Sequence, residues 1–537
     1  MTTLRALARQ AVRIGAAAGL VSLGLAAAAQ PAGASTYTSV SGSGSSWASV
    51  ALDQWSSNVR QNGLVVNYNP DGSAAGRQDY INDQVDFSGS DPPFRNGQDE
   101  LGGTGSENSG KYGFSYVPDT AGGTAFMYHI TVAGHLITNL RLRPLTLMKI
   151  FTGNITNWDD KQITHDYGAQ LPNLPITPVV RSDGSGATFF LTRWMEHVDP
   201  GLWNAFCRRV HPGIRLPCPQ TEFYPTNFGN AKAENGSTNV ANYITSSYGN
   251  GAIGYDEYAY ALNSHYPVVK VANPGGYWSL PTASNVAVAL TRARINEDKN
   301  SQNFLQQNLD SVYTFKDHRS YPLSSYSYLI VPRQARGAPS PPPEFASPSG
   351  KGRSLSTFID YFLCAGQAHV AELGYSPLPL NLVKGGLLQT DFIPGHIAGP
   401  NLRTLAGCAN PTFTNGVLTL LKNAPQPSPC DKVGEPLNCV VKNGKATTPN
   451  SGSSSGKGKK AGSSATSSGG SGTGAGTGTG TTTATGATGG QVTGQVINLA
   501  ASQSSQVPLA VVTALGILAA VATPPALAAW LRRRRRA

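Results

Sequence analysis

Ile176-Thr177-Pro178-Val179-Val180-Arg181, followed at once by Ser182-Asp183-Gly184-Ser185-Gly186-Ala187-Thr188, decides how the centre of this chain is read. A short extended run ends in an arginine, a Ser/Gly turn follows, and then Phe190, Trp194 and Val198 recur every fourth residue, the spacing of one buried helix face. Strand, turn and helix in succession are the unit of an α/β domain. The same turn design occurs twice more, as Ser41-Gly42-Ser43-Gly44-Ser45-Ser46-Trp47 and, after the extended run Leu64 to Tyr68, as Asp71-Gly72-Ser73-Ala74-Ala75-Gly76. Each sets Ser and Gly directly before a helical segment, where unpaired N–H groups and the positive end of the helix dipole receive an anion. Any one of them alone reads as an N-cap. Three in one chain, one directly after Arg181 at a strand end, point to an anion site, because ligands of open α/β sheets sit at the carboxyl ends of strands.

Two kinds of side chain sharpen that expectation. Arg181 offers a planar fork suited to a tetrahedral oxyanion, and Asp183, two residues on, is spaced to hold the fork in place. Asp91 closes the run Val85-Asp86-Phe87-Ser88-Gly89-Ser90 and precedes Pro92-Pro93, a place where a turn aspartate also belongs. An ionised carboxylate only accepts hydrogen bonds, so at an anion site it repels any oxyanion that carries no proton. That property separates phosphate from sulfate.

Outward from these motifs the ends of the 537-residue chain are of different character. Arg5, Arg9 and Arg13, the apolar stretch Ala16 to Ala29 and the small-x-small site Ala32-Gly33-Ala34 stand in the order of a secretory signal peptide, expected over residues 1–34. No cysteine follows the apolar run, which argues against a lipoprotein anchor. Residues 507–531 hold no charge and are followed by Arg532 to Arg536, the pattern of a bilayer span with a cytoplasmic tail over 532–537. Between them and the globular part, residues 446–506 begin with a tract of Gly, Ser, Thr and Ala that cannot bury enough apolar surface to order itself, so a flexible stalk is expected. The net charge of +11 looks like a nucleic-acid signal until it is located; setting aside the eight terminal arginines leaves 33 basic against 30 acidic side chains, and no nucleic-acid partner is expected. Six cysteines, Cys207, Cys218, Cys364, Cys408, Cys430 and Cys439, carry no metal-ligand spacing, and in an exported chain an even count favours disulfides. Fifteen pairings are open; Cys207 with Cys218 and Cys430 with Cys439 are near in sequence and are the first guesses, which leaves Cys364 with Cys408. No cofactor or metal is implied.

Gly42 to Trp47, Gly72 to Gly76, Asp86-Phe87-Ser88-Gly89-Ser90-Asp91 and Arg181 to Gly186 together resemble, in the same order, the phosphate-contacting motifs of the periplasmic-type phosphate-binding proteins of phosphate-uptake ABC transporters. Ile150-Phe151-Thr152-Gly153-Asn154-Ile155-Thr156-Asn157-Trp158, Gly251-Ala252-Ile253-Gly254-Tyr255 and Leu373-Gly374-Tyr375-Ser376-Pro377 are similar to further landmarks of that family. The resemblance runs from about Ser41 to Pro379. It implies a type II two-lobed α/β periplasmic-binding fold that closes on phosphate, with Ser46, Trp47, Ser73, Ser185, Gly186 and Ala187 at the ligand, Arg181 pairing with the anion and Asp91 accepting its proton. Asp183 and Thr188 are expected in support. The implied partners are inorganic phosphate and ABC permease subunits, with the chain held at the outer side of a membrane by its C-terminal span. Two departures stand out. Ser46-Trp47 replaces the family's usual Thr-Phe and keeps a hydroxyl; Ala187 replaces a Thr and loses one, leaving a backbone N–H and Thr188 to compensate.

The resemblance also sets the boundaries of the globular part: 35–125 and 321–385 for the first lobe, 126–320 for the second, and 386–445 for an irregular, disulfide-tied extension. A helical pattern is expected from Ser354 to Leu373, and a surface loop from Ala335 to Ser349. Competing readings are the same fold as a surface oxyanion store or sensor, a wall adhesin suggested by stalk and anchor, and a phosphate-ester hydrolase using Asp91 and Ser73. No motif sets a histidine beside a candidate nucleophile, so no enzyme is expected.

Overall fold

The computed structural model describes residues 37–95, 106–107, 112–334, 339, 341–347 and 350–448. The expected signal peptide, nearly all of the stalk, the C-terminal span and its arginine tail lie outside the described residues. Among the described residues no helix is long and apolar enough to cross a membrane.

The chain folds first as β1 (Val40–Gly44), α1 (Ser49–Arg60), β2 (Val66–Asn69), α2 (Ser73–Ile81), β3 (Phe87–Ser90) and the long β4 (Gly113–Tyr128). Then come β5 (Thr177–Arg181), α3 (Gly186–Val198), β6 (Lys232–Glu234), α4 (Gly236–Thr245), β7 (Ala252–Glu257), β8 (Ser324–Arg333), α5 (Lys351–Leu363) and α6 (Leu380–Thr390). Eight strands join in the order β2-β1-β3-β8-β4-β7-β5-β6. This is the two-lobed α/β periplasmic-binding architecture. β1, β2 and β3 run parallel to one another, as strand-helix-strand units require, whereas β8 returns antiparallel between β3 and β4. β4 serves both lobes. Up to Gly123 it pairs with β8, and from Thr124 to Tyr128 it pairs with β7.

Aromatic side chains form the cores on either side of this switch. In the first lobe Trp55 of α1 stacks on Phe362 of α5 at 5.1 Å, and its indole N–H donates to Gly366 O. In the second, Phe126 packs on Phe151 and on Trp194 of α3, the residue whose four-residue spacing announced that helix. Burying each such side chain contributes about 1.5–3 kcal/mol. The run Ser354 to Leu373 is not one helix: α5 ends at Leu363, and Ala365–His369 tightens into a 3₁₀ turn. Gly366 packs there against the Trp55 ring, leaving no room for a helical side chain. Within the loop expected over 335–349, Pro343–Ala346 makes one helical turn opened by its proline.

The three disulfides are Cys207–Cys218, Cys364–Cys408 and Cys430–Cys439. The extension touches both lobes. Cys408 ties it to the end of α5, while further on Arg141 donates to Glu435 O, Lys270 pairs with Asp431, and Val433 N–H donates to Gly276 O. Its last hairpin pairs Val440–Lys442 with Lys445–Thr447, so Ala446 and Thr447, the first residues of the expected stalk tract, sit in a strand.

Candidate functional site

Four helix N-termini meet between the lobes: those of α1 and α2 from the first, those of α3 and α4 from the second. The loop before α1 is aimed by tyrosines. Tyr68, Tyr260 and Tyr375 donate their hydroxyls to the carbonyls of Ser45, Ser46 and Trp47, at 3.0, 2.5 and 2.6 Å. In a trans peptide the N–H of the next residue points opposite to the carbonyl. Three carbonyls pulled outward therefore turn three successive amides, those of Ser46, Trp47 and Ala48, the other way. Trp47 itself is anchored edge-on against the Tyr375 ring.

Arg181 ends β5 with its guanidinium fully buried. Its Nε donates to Asp183 Oδ1 at 2.8 Å and Nη2 bonds Asp183 Oδ2, the fork-holding contact expected from the two-residue spacing. Nη2 also reaches Ser46 Oγ across the cleft at 2.8 Å, and Nη1 reaches Ser237 Oγ at 3.2 Å, with Asp256 at 3.7 Å. Burial acts to lower the guanidinium's pKa, but Asp256 and Asp183 outweigh it and hold it above its usual range. Asp256 in turn is pushed up to about 6 by burial, against the opposing pull of Arg181.

Asp91 is buried at the end of β3 and accepts hydroxyls from three separate segments. Ser45 Oγ lies 2.9 and 3.0 Å from its two oxygens, Ser73 Oγ 3.2 Å from Oδ2, and Ser327 Oγ 2.7 Å from Oδ1. Burial raises its pKa, while these three hydroxyls and Arg181 work in the opposite direction. Gly186, at the start of α3, is needed for the lobes to meet here: a Cβ on it would fall 2.1 Å from Asp91 Oδ2. Gly72 has φ of +104°, and a Cβ there would lie 2.5 Å from Asp183 Oδ2. The lobes are further joined by Ala74 N–H donating to Gly184 O.

The structure thus gathers Ser46, Trp47, Ser73, Asp91, Arg181, Asp183, Ser185 and Gly186 about one interlobe space. Ser185 caps α3 through Thr188 N, and Ala187 lies buried in the first turn. The Thr188 hydroxyl lies 2.7 Å from that of Tyr255. Sequence reasoning missed Ser237, whose hydroxyl lies 2.8 Å from Ser46 Oγ and whose N–H donates to the same atom. Its signal was present, since Gly236-Ser237 at the start of α4 repeats the design of Ser and Gly at a helix N-terminus a fourth time. Ser45, Ser327 and Asp256 were missed as well. Among the described residues no group of His, Cys, Asp and Glu is arranged to hold a metal ion.

A model described as a PBP superfamily domain matches residues 29–365. The phosphate-binding protein PstS of Xylella fastidiosa (strain Temecula1) is 28% identical over 347 residues, 64% of this chain and 83% of the relative. The phosphate-binding protein PstS 3 of Mycobacterium tuberculosis (strain CDC 1551) is 28% identical over 321 residues, 59% of this chain and 76% of that one. Among solved structures, a phosphate binding protein from Stenotrophomonas maltophilia aligns with a TM-score of 0.47 at 16% identity, over 70% of this chain and 99% of its own.

Proposed function

The chain belongs to the PBP superfamily, and from that membership we propose that it binds inorganic phosphate between its two lobes as the substrate-binding component of an ABC uptake system. The relatives named phosphate-binding proteins support the ligand. The observation that carries the reading is the pairing of Asp91, a buried carboxylate, with a surround of donors: Arg181, helix N-termini and serine hydroxyls. Donors alone suit any tetrahedral oxyanion. A carboxylate acceptor set among those donors suits an oxyanion that carries a proton, and at neutral pH phosphate does while sulfate does not. Ser46, Ser73, Ser185 and the amides of Trp47, Gly186 and Ala187 donate in this reading, and Ser237 joins them.

The test is a calorimetric titration of wild type and Asp91→Asn, each with phosphate and sulfate at fixed pH and ionic strength. The amide of asparagine supplies a donor of nearly the same shape, so sulfate gains relative to phosphate. An unchanged ratio makes Asp91 a mere turn residue and sinks the reading.

In this reading the chain stays at the outer membrane surface and delivers phosphate to ABC permease subunits there. Removal of residues 1–34, a stalk beyond the hairpin that ends at Thr447 and retention of 507–531 as a single span with residues 532–537 inside accomplish that. A stalk with about 50 flexible residues reaches roughly 40 Å. Protease added to intact cells then releases the two-lobed domain by cutting within the stalk; full-length protein in untreated medium contradicts the anchor.

A further inference from the structure

Behind Asp91 stands a second buried carboxyl group to which the phosphate reading gives no role. Asp119 lies in β4, fully buried. Ser327 lies opposite it in β8, at the point where the pairing of the two strands slips between Tyr326 and Tyr328. Such a bulge re-aims a side chain. Here it leaves the Ser327 hydroxyl donating to Asp91 Oδ1 at 2.7 Å.

We propose that Ser327 and Asp119 are positioning residues for the anion site: Asp119 keeps the one proton of the two acids and Ser327 donates its own to Asp91, which fixes Asp91 as the ionised acceptor and so sets the preference for a protonated oxyanion. This rests on the reading of the cleft as a phosphate site. Which of the two acids carries the charge follows from their donor sets. Asp91 receives hydroxyls from Ser45, Ser73 and Ser327 and faces Arg181. Asp119 receives the amide of its neighbour Thr120 at 2.5 Å on Oδ1, whereas its Oδ2 makes no hydrogen bond among the described residues. Two neighbouring carboxylates in a dry interior do not both ionise, and the charge resides where the donors are. Burial and the nearby Asp91 raise the pKa of Asp119 well above the carboxylate range. The other titratable groups facing the pair are Glu257, itself raised by burial, and Tyr68, Tyr328 and Tyr375, whose hydroxyls burial keeps neutral.

Once Ser73 turns its single proton to the ligand, Ser45 and Ser327 remain on Asp91, and a carboxylate has room for the ligand's proton beside them. Without Ser327 the buried Asp91 takes up a proton more readily and becomes a donor, which is what sulfate needs. Phosphate and sulfate titrations of wild type, Ser327→Ala and Ser327→Thr test this. The preference for phosphate falls about tenfold in Ser327→Ala, the loss of one hydrogen bond to a charged group, and returns in Ser327→Thr, which restores the hydroxyl. The site of the proton is read separately by infrared spectroscopy of the phosphate-bound protein at neutral pH: the carboxylic-acid C=O band loses intensity in Asp119→Asn and keeps it in Asp91→Asn. Wild type that binds no phosphate defeats the phosphate reading itself. Wild type that prefers phosphate, with Ser327→Ala equally selective or with the band lost in Asp91→Asn instead, overturns this proposal alone.

Discussion

Glu222→Ala is expected to weaken phosphate binding although Glu222 belongs to none of the motifs that receive the anion. Arg77 stands on α2 in the first lobe and Glu222 in the second-lobe loop that follows Cys218. Their side chains meet as a bidentate pair, Nη1 to Oε1 at 2.8 Å and Nη2 to Oε2 at 2.5 Å, and both are 0% exposed. Truncating one side of a buried, hydrogen-bonded charge pair costs about 2–5 kcal/mol. Arg77 keeps Glu107 of its own lobe, with Nε to Oε2 at 2.7 Å and Nη2 to Oε1 at 3.2 Å, so its cation is not stranded and the lower figure applies. If the pair forms only when the lobes close, the whole loss enters the ligand equilibrium, and about 2 kcal/mol is a roughly thirtyfold rise in Kd. Opening exposes Glu222 to water while Arg77 remains paired, which makes the contact a releasable latch. Calorimetry gives the Kd, and thermal unfolding of the unliganded protein separates closure from folding. A folded Glu222→Ala variant with unchanged Kd and a lowered Tm shows that the pair persists in both states and refutes the reasoning.

Arg181→Ala nearly abolishes phosphate binding in titration while the far-ultraviolet spectrum is kept, a loss of about 2–5 kcal/mol, because the guanidinium, bonded to Asp183 and Ser237 of its own lobe, reaches Ser46 across the cleft. Asp360, in α5, has its pKa pushed up to about 7 by burial and by Asp391, and its Oδ1 lacks a partner among the described residues. The folded state therefore holds a proton that the unfolded chain releases near pH 4, so stability is greatest below that pH and declines as pH rises through about 7. Asp360→Asn removes the decline: Tm should exceed wild type most at pH 8, by the equivalent of about 2 kcal/mol after allowance for partial solvent access, with the gap narrowing toward pH 5. Replacing Cys364 and Cys408 together by serine opens a loop of sequence separation 44 and is expected to cost about 4 kcal/mol in the chain-entropy account, measured by denaturant unfolding.

What the sequence made legible is what is local. The Ser/Gly turns, Arg181 with Asp183 two residues on, and the four-residue spacing in α3 are short-range patterns, and each lies where the pattern put it. Near neighbours in sequence also suggested two of the disulfides. The missed site residues are those whose role depends on pairing across the chain. Ser327 is one of several serines in Ser324-Ser325-Tyr326-Ser327, and only the slip in register between β8 and β4 distinguishes it. Asp119 looks like a turn residue after Pro118, yet it is interior to a 16-residue strand. Arg77 and Glu222 are 145 residues apart. Ser237 is the exception, for its Gly-Ser signal was local; it went unread because β6, the strand before it, is three residues long and largely exposed, without the apolar run that marked the other two strand-and-turn units.

The charges of the cleft bear on how an anion is held there at all. Arg181 is its cation, but Asp183 and Asp256 already face it, and Asp91 adds a further carboxylate. Formal charge therefore supplies little net attraction, and Arg181 acts as a fixed fork of N–H donors whose positive charge is answered locally. In the phosphate reading the remaining attraction comes from neutral groups, the amides of Ser46 and Trp47 that Tyr68 and Tyr260 orient and the hydroxyls of Ser46, Ser73, Ser185 and Ser237. Such dipoles are strong acceptor partners only in a dry, preorganised setting, where each is already aimed and no water competes. A site built this way distinguishes ligands by hydrogen-bond pattern more than by charge. It can therefore hold an acid such as Asp91 against an anion, because one proton on the ligand converts the contact from repulsion to a hydrogen bond, and an oxyanion without that proton meets the same carboxylate with no compensating field of positive charge to override it.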